Sequence, residues 1–356
     1  MILVFANLFY MIYLLSQDWI NTANNHAGIK YLCNQLAERY PDCYKSIVFP
    51  DYSLGRKSGC IIRNIIHSYN SKRLHKKEEL HVLKYLKEVV QDGDTLFVLE
   101  YLDKEYEMFS FVQRVKKLFP RIRLFCMAHL VPAKLNRLFP NNSELHRWLE
   151  PVDVLFTLGS SLKDYLVKRN VEETKVVTTF HYVDDYYRKE NTIISNKPPL
   201  VIAMGNQVRN IKLLKKVVEC NPNVNFVICQ GMTDMSRIFV DNMNVRLIPF
   251  VSEKELYELM DNADISLNIM DDTIGSNVIV TSMAMGLAMI CSDVGSIRDY
   301  CDESNTIFCD NDNPDSFSDA IKALQDIDSL IKMKQASVTK SMKYTIDYFH
   351  DFIISI

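Results

Sequence analysis

The sequence predicts an α/β protein built from two doubly wound halves. Three observations lead there. Short apolar runs alternate with longer amphipathic stretches along almost the whole chain, the pattern of parallel strands joined by crossover helices. The length of 356 residues exceeds what one core usually serves, and 48% of them are apolar, enough for two cores. A mostly polar stretch, "YYRKENTIISNKPP", ends in Pro198 and Pro199, interrupts the alternation near its middle and reads as a linker.

In the first half, "IYLLS" is a strand, and "AGIKYLCNQLAERY" has apolar residues at helical spacing. "YKSIVF" is the next strand, "EELHVLKYLKEVV" a helix and "GDTLFVLEY" a strand. "YEMFSFVQRVKKLF" reads as a helix, and "IRLFCMAH" and "VDVLFTLG" as strands. In "SSLKDYLVKRN", Ser160 or Ser161 is the expected helix N-cap. "TKVVTTFHYV" closes this half.

The second half repeats the alternation: strand "LVIAMG", helix "NIKLLKKVVEC", strands "NFVICQG" and "VRLIPFV", helix "EKELYELMDNA", strand "DISLNIM". The expected division is 1–190, 191–340, and a C-terminal helix at 341–356 packing back towards the first domain. Two such halves place a ligand cleft between them, at the carboxyl ends of the strands.

Composition excludes several classes. The formal charge of −3 gives no electrostatic footprint for nucleic acid. The nine cysteines form no CxxC pair, and several lie in apolar runs, so they read as free thiols in a reducing compartment, the cytoplasm. "MILVFANLFYMIYLL" lacks a basic n-region and a cleavage site, and is shorter than the roughly 20 residues of a spanning helix. Met1–Tyr10 therefore reads as an extension upstream of a start at Met11, with a membrane-touching segment as the alternative. No GxGxxG, Walker loop, GxSxG elbow or HExxH stands in a fitting context.

The informative stretch is "DDTIGSNVIVTSMAMGLAMICSDVGSIRDY", residues 271–300. A strand precedes it. "DDTIGS" is then the loop, with Ser276 or Asn277 at the start of a helix that runs to Gly286. Free N–H groups and the positive dipole end at such a start suit an anion, and Gly275 lets the backbone approach. An ordinary strand–loop–helix unit without a ligand has the same pattern, and the residues alone leave both open. In "LVIAMGNQVRNIKLL", Gly205 ends a strand, and Arg209 and Lys212 stand at a helix start, where cations meet the unfavourable end of the dipole. An anionic partner is one explanation, solvated surface residues the other.

These stretches resemble glycosyltransferase family 4, the glycosyl transferases group 1 of GT-B fold. The likeness is strong from about Leu200 to Asn311 and weak elsewhere. It implies two Rossmann-like domains facing each other across a cleft. It also implies transfer of a sugar from a nucleoside diphosphate sugar to a saccharide or lipid-linked acceptor, with retention, in polysaccharide or surface-glycan assembly. Arg209 and Lys212 would contact the diphosphate, beside Gly205, Gly275, Ser276, Asn277 and Val278. The family's two acidic donor positions fall on Thr273 and Thr281, so neither carboxylate is present, and Asn206 replaces the basic residue after the glycine. Asp271 and Asp272 lie just upstream, and Asp272 is the catalytic choice with His129, which ends a strand where the family often has a His near the reacting sugar. Thr281 would offer the ribose a neutral hydrogen bond.

The loop "NTANNHAGIKYL" would face the acceptor through Asn25, His26 and Gly28, while His181 and Asp184 form a hinge-side pair. For each lone histidine a structural role is an equal alternative. No metal and no resident cofactor is expected, since the helix start and the cations supply the charge stabilisation. The expected location is the cytoplasm, extending to the inner face of the membrane through peripheral contact. The missing acidic pair keeps two alternatives open: a non-catalytic nucleotide-sugar-binding module, and a nucleotide-sugar epimerase.

Overall fold

Among the described residues the strands form two six-stranded sheets in which every neighbouring pair is parallel. The computed structural model describes residues 10–19, 25–51, 61–104, 108–189, 196–205, 208–231 and 233–356. Apart from Tyr10, the expected N-terminal extension lies outside them, as does Asn206.

The chain forms two compact units, 1–158 with 163–179 and 159–162 with 180–356. The break falls at 179/180, earlier than the expected 190/191, and residues 341–356 are part of the second unit. The physical reason lies in "FHYV", which the sequence reading keeps with the first half. Instead the Val183 N–H donates to the Tyr344 carbonyl at 2.7 Å, and Phe180 packs edge-on against Phe349 with ring centroids 6.0 Å apart.

The first unit contains β1 (Ile12–Asp18), α1 (Ile29–Arg39), β2 (Tyr44–Pro50), α2 (Ile61–Val89), β3 (Thr95–Tyr101) and α3 (Met108–Leu118). β4 (Arg123–Ala128), α4 (Pro132–Leu138), α5 (Asn142–Leu149), β5 (Val154–Thr157), α6 (Ser160–Lys168) and β6 (Val176–Thr178) complete it, apart from the first residues of α6. The strand order is β2-β1-β3-β4-β5-β6. Helices cover both faces of such a sheet, so its strands are continuously apolar, and Leu96, Phe97, Val98 and Leu99 are all fully buried. α3 buries Met108, Phe111, Val112 and Val115, one stripe at helical spacing.

Three expectations change here. α2 begins at Ile61 instead of Glu78, because Ile65, Ile66 and Tyr69 are exposed and give no core stripe. The short helices α4 and α5 carry too few turns for a periodic signal. Ser160 is the first residue of α6, so neither serine precedes the helix as its cap.

The second unit contains β7 (Val201–Ala203), α7 (Ile211–Cys220), β8 (Phe226–Gly231), β9 (Val245–Pro249), α8 (Glu253–Asp261), β10 (Ile265–Asn268) and α9 (Asn277–Ala284). β11 (Ala288–Ser292), α10 (Ile297–Tyr300), β12 (Thr306–Cys309), α11 (Pro314–Ala323), α12 (Ile327–Ser341) and α13 (Ile346–Ile354) follow. The order β12-β11-β10-β7-β8-β9 reverses direction between β7 and β10; in the first sheet the reversal lies between β1 and β3. Open parallel sheets bind ligands at such switch points, beyond the carboxyl ends of the strands. α9 is enclosed by the core, and Ile279 to Ala284 are all buried, the polar Thr281 and Ser282 among them. At the other end of β10, the buried Asp264 carboxylate pairs with Lys334 of α12 at 3.0 Å and accepts the Leu200 N–H at 3.0 Å.

Candidate functional site

The switch point of the second sheet is closed by two loops laid against each other. Arg209, behind β7, forms an antiparallel bridge with Met270, behind β10. On either side, the Asn210 N–H donates to the Ile269 carbonyl at 3.1 Å and the Asp271 N–H to the Val208 carbonyl at 2.9 Å. The Asn210 amide adds a bond to Asp271 Oδ1 at 2.6 Å. Val208 is held at φ 53°, a region that β-branched residues rarely adopt, and the surrounding bonds fix it there. Gly205 has φ 77°, and a Cβ there would lie 3.1 Å from Val278 Cγ2, so the β7 loop reaches the start of α9.

The loop into α9 is tightened by its own side chains. Asp272 Oδ1 accepts the Thr273 N–H at 2.8 Å, Thr273 Oγ1 accepts the Gly275 N–H at 3.0 Å, and the Ser276 N-cap hydroxyl accepts the Ile279 N–H at 3.3 Å. Gly275 has φ 89°, and a Cβ would collide with the Tyr300 ring at 2.2 Å, so both conformation and space demand glycine. The N–H groups of Ser276 and Val278 donate to no protein atom among the described residues, and the first turn carries no acidic side chain. This is an open helix start with its positive dipole end uncompensated.

Arg209 supplies a cation to the same loops. Its Nη1 donates to the Cys229 carbonyl at 3.2 Å, whereas Nη2 is buried without an acceptor. Burial pushes its pKa down to about 10, and no carboxylate pairs with it among the described residues. A desolvated guanidinium with an unused donor is costly unless an anion completes it. Lys212 is exposed in the first turn of α7, where Asn210 is the N-cap and no acidic residue balances it.

The structure therefore brings together Gly205, Arg209, Asp272, Thr273, Gly275, Ser276, Asn277 and Val278, with Lys212 one turn further on. Asp272 is half-buried, and burial raises its pKa. Thr273 is buried. Its carbonyl accepts the Ser296 N–H at 2.7 Å, so that residue is a pivot of the loop as well as a candidate contact. Thr281 is buried in the second turn of α9, and its hydroxyl does not bond back to a helix carbonyl.

In the first unit, His129 follows β4 at its carboxyl end, as expected. Its Nε2 lies 2.8 Å from the Leu99 carbonyl, which only accepts, so Nε2 carries the proton and Nδ1 is the ring's acceptor. Burial lowers its pKa to about 4, so the ring is neutral at pH 7. Asn25 and Gly28 form the turn into α1, the Gly28 N–H donating to the Asn25 carbonyl at 2.9 Å, and the His26 ring lies 4.7 Å from that of Tyr31. Sequence reading missed Glu100, at the switch point between β1 and β3. The Trp19 indole N–H donates to both its oxygens, at 2.7 and 2.9 Å, and burial raises its pKa to about 7. An acid inside the apolar run "TLFVLEY" was the available signal.

The His181 backbone N–H donates to Tyr300 Oη at 3.0 Å, and Asp184 Oδ1 accepts the Tyr186 N–H at 3.0 Å. Among the described residues no group of three or more His, Cys, Asp or Glu side chains is arranged to hold a metal ion.

No curated protein sequence matches the chain. Solved structures resemble it throughout at low identity. HepE from Anabaena in complex with UDP is 12% identical, with a TM-score of 0.68 over 97% of this chain and 100% of that one. The sucrose-phosphate synthase of Thermosynechococcus elongatus is 11% identical, with a TM-score of 0.70 over 98% and 100%. The lipopolysaccharide outer core galactosyltransferase WaaB is 13% identical, with a TM-score of 0.65 over 97% and 99%. At such identities these likenesses establish the GT-B fold. The family model "Glycosyl transferases group 1" matches residues 201–326, the stretch that holds both loops of the switch point. The second unit of this GT-B chain thus carries a glycosyl transferases group 1 domain.

Proposed function

We propose that the chain is a glycosyltransferase that moves a hexosyl group from a nucleoside diphosphate sugar to a saccharide or lipid-linked acceptor, with retention, in polysaccharide or surface-glycan assembly. The observation that carries this reading is the half-buried Arg209, whose Nη2 is buried without an acceptor among the described residues and whose backbone bridges to the loop that opens α9. A diphosphate there would take the unused Nη2 donor and the open N–H groups of Ser276 and Val278. Such groups stabilise the negative charge that grows on the leaving diphosphate as the bond to the anomeric carbon breaks. Lys212 adds a mobile cation, and Thr281 a hydroxyl for the ribose. Asp272, whose pKa is raised by burial, and neutral His129 are the proposed groups near the sugar. The family match at 201–326 and the UDP and UDP-glucose complexes of HepE support this reading and favour a uridine nucleotide.

Thr273 and Thr281 favour a second reading, binding of the nucleotide-sugar without turnover. Calorimetric titration with UDP, GDP and ADP sugars tests the site. Release of free nucleoside diphosphate, with and without saccharide acceptors, tests catalysis. Tight binding with no release would favour the binding module, and absence of binding to every nucleotide would overturn both.

A further inference from the structure

Met270 is gripped from the side that faces away from Arg209. The bridge bonds run from the Asn210 N–H to the Ile269 carbonyl and from the Asp271 N–H to the Val208 carbonyl, so Arg209 and Met270 share no direct hydrogen bond. In such a pair each residue's own N–H and C=O point outward, away from the partner segment. A further strand would ordinarily take them. Here two side chains do. The Met270 N–H donates to Ser292 Oγ at 3.0 Å, and the Met270 carbonyl accepts from Asn311 Nδ2 at 2.7 Å. Both stand at neighbouring strand ends. Ser292 closes β11 and pairs with Cys309, which closes β12, and Asn311 lies two residues further on. The turn that carries Asn311 is tied by its own bonds, the Asn313 N–H donating to the Asp310 carbonyl at 3.1 Å and the Asp312 N–H to Asp310 Oδ1 at 2.9 Å. Asn311 Oδ1 is buried with no partner among the described residues, a cost that a purely stabilising side chain would avoid.

We propose that Ser292 and Asn311 are positioning residues of the donor site, a role that rests on the nucleotide-sugar reading of this switch point. They hold Met270, and through its bridge they fix where the Arg209 guanidinium meets the diphosphate. Both act through Arg209 and not on the ligand. Val208 adds to the need for such a grip. Its backbone sits at φ 53°, and strained backbone persists only where its surroundings over-determine it. The Val208 carbonyl is bonded to the Asp271 N–H, next to Met270, so releasing Met270 removes support from Val208 as well. Without the grip Arg209 keeps its charge but loses its fixed place. A cation held ready stabilises a growing negative charge better than one that must be ordered on binding.

The test uses Asn311→Leu, which keeps the volume and the neutrality and removes the donor, and Ser292→Ala. In the ligand-free protein, the Asn210 and Asp271 amides should exchange hydrogen about tenfold faster in either variant, with the amides of β7 and β10 unchanged. Calorimetric titration with UDP, GDP and ADP, each beside its nucleoside, reads the function. Asn311→Leu should bind the diphosphate about tenfold more weakly and the nucleoside within about twofold of the parent. Added to Arg209→Met, the same substitution should cost less than about twofold, because the group that it positions is gone. A merely structural residue would weaken nucleoside and diphosphate alike, and would add its full loss to that of Arg209→Met. Either result, or unchanged exchange at Asn210 and Asp271 in folded variants, would overturn the positioning role alone. A parent that binds none of the three diphosphates would overturn the donor reading and the positioning role with it. Ser292→Ala alters a fully buried position; if that variant does not fold, Asn311→Leu, on a half-buried turn, decides.

Discussion

Arg209 and Met270 pair as an antiparallel bridge across the point where the second sheet reverses its winding. The bridge fixes a cation at the mouth of α9 through main-chain bonds, so the position does not depend on a salt bridge. Arg209→Met should weaken nucleoside diphosphate binding by about 1.5–3 kcal/mol and leave nucleoside binding nearly unchanged. Because the half-buried guanidinium meets no carboxylate among the described residues, the ligand-free variant should melt no lower than the parent. Equal losses for nucleoside and diphosphate, or a lower melting temperature, would place the role of Arg209 in folding instead.

Thr281 offers a hydroxyl that does not bond back to its own helix. Thr281→Val keeps the shape and should lower nucleotide affinity by roughly 0.5–1.5 kcal/mol, a neutral hydrogen bond's worth, with little change in urea unfolding. Normal affinity for the valine variant would remove Thr281 from the site.

Glu100 should make stability depend on pH. Its folded pKa is about 7 against an ordinary 4.5, so between those values the folded state keeps a proton that the unfolded chain has lost. Its contribution therefore falls as pH rises from about 4.5 to about 7 and is flat above, by no more than about 3.5 kcal/mol. Glu100→Gln still accepts from the Trp19 indole and should remove that slope. An unchanged slope in denaturant titrations across this range would contradict the assignment.

The buried pair of Asp264 and Lys334 anchors α12 to the foot of β10. Lys334→Met alone leaves a carboxylate without its cation and should cost about 3–5 kcal/mol. Adding Asp264→Asn should recover part of that loss, because the stranded charge goes while the bonds to Leu200 and Asn196 can still form. A double variant no better than the single one would mean the pair acts through packing alone.

Much of this architecture can be read locally. Strands buried on both faces announce themselves as apolar runs, which is why "TLFVLEY" and "DISLNIM" are found where expected. The loop from Asp271 to Val278 is legible for the same reason, since strand, glycine and cap follow one another in the chain. What escapes is whatever depends on distant partners. The type of residue at 209 was readable, but not its bridge to Met270, nor the pairing of Trp19 with Glu100. The first half of α2 escaped for the opposite reason, its Ile65, Ile66 and Tyr69 being exposed to solvent.

The strand order of the second sheet also bears on how the chain is made. Val201 pairs with Phe226 on one side but must wait for Ile265 on the other. During synthesis, a ribosome that has delivered the chain only as far as α8 has released β7 with one side bare, a Val-Ile-Ala edge able to pair with a neighbouring chain. The two loops that cradle Arg209 cannot meet until β10 has emerged, so the candidate site forms late. Fragments ending before Ile265 should therefore be the aggregation-prone products of incomplete translation.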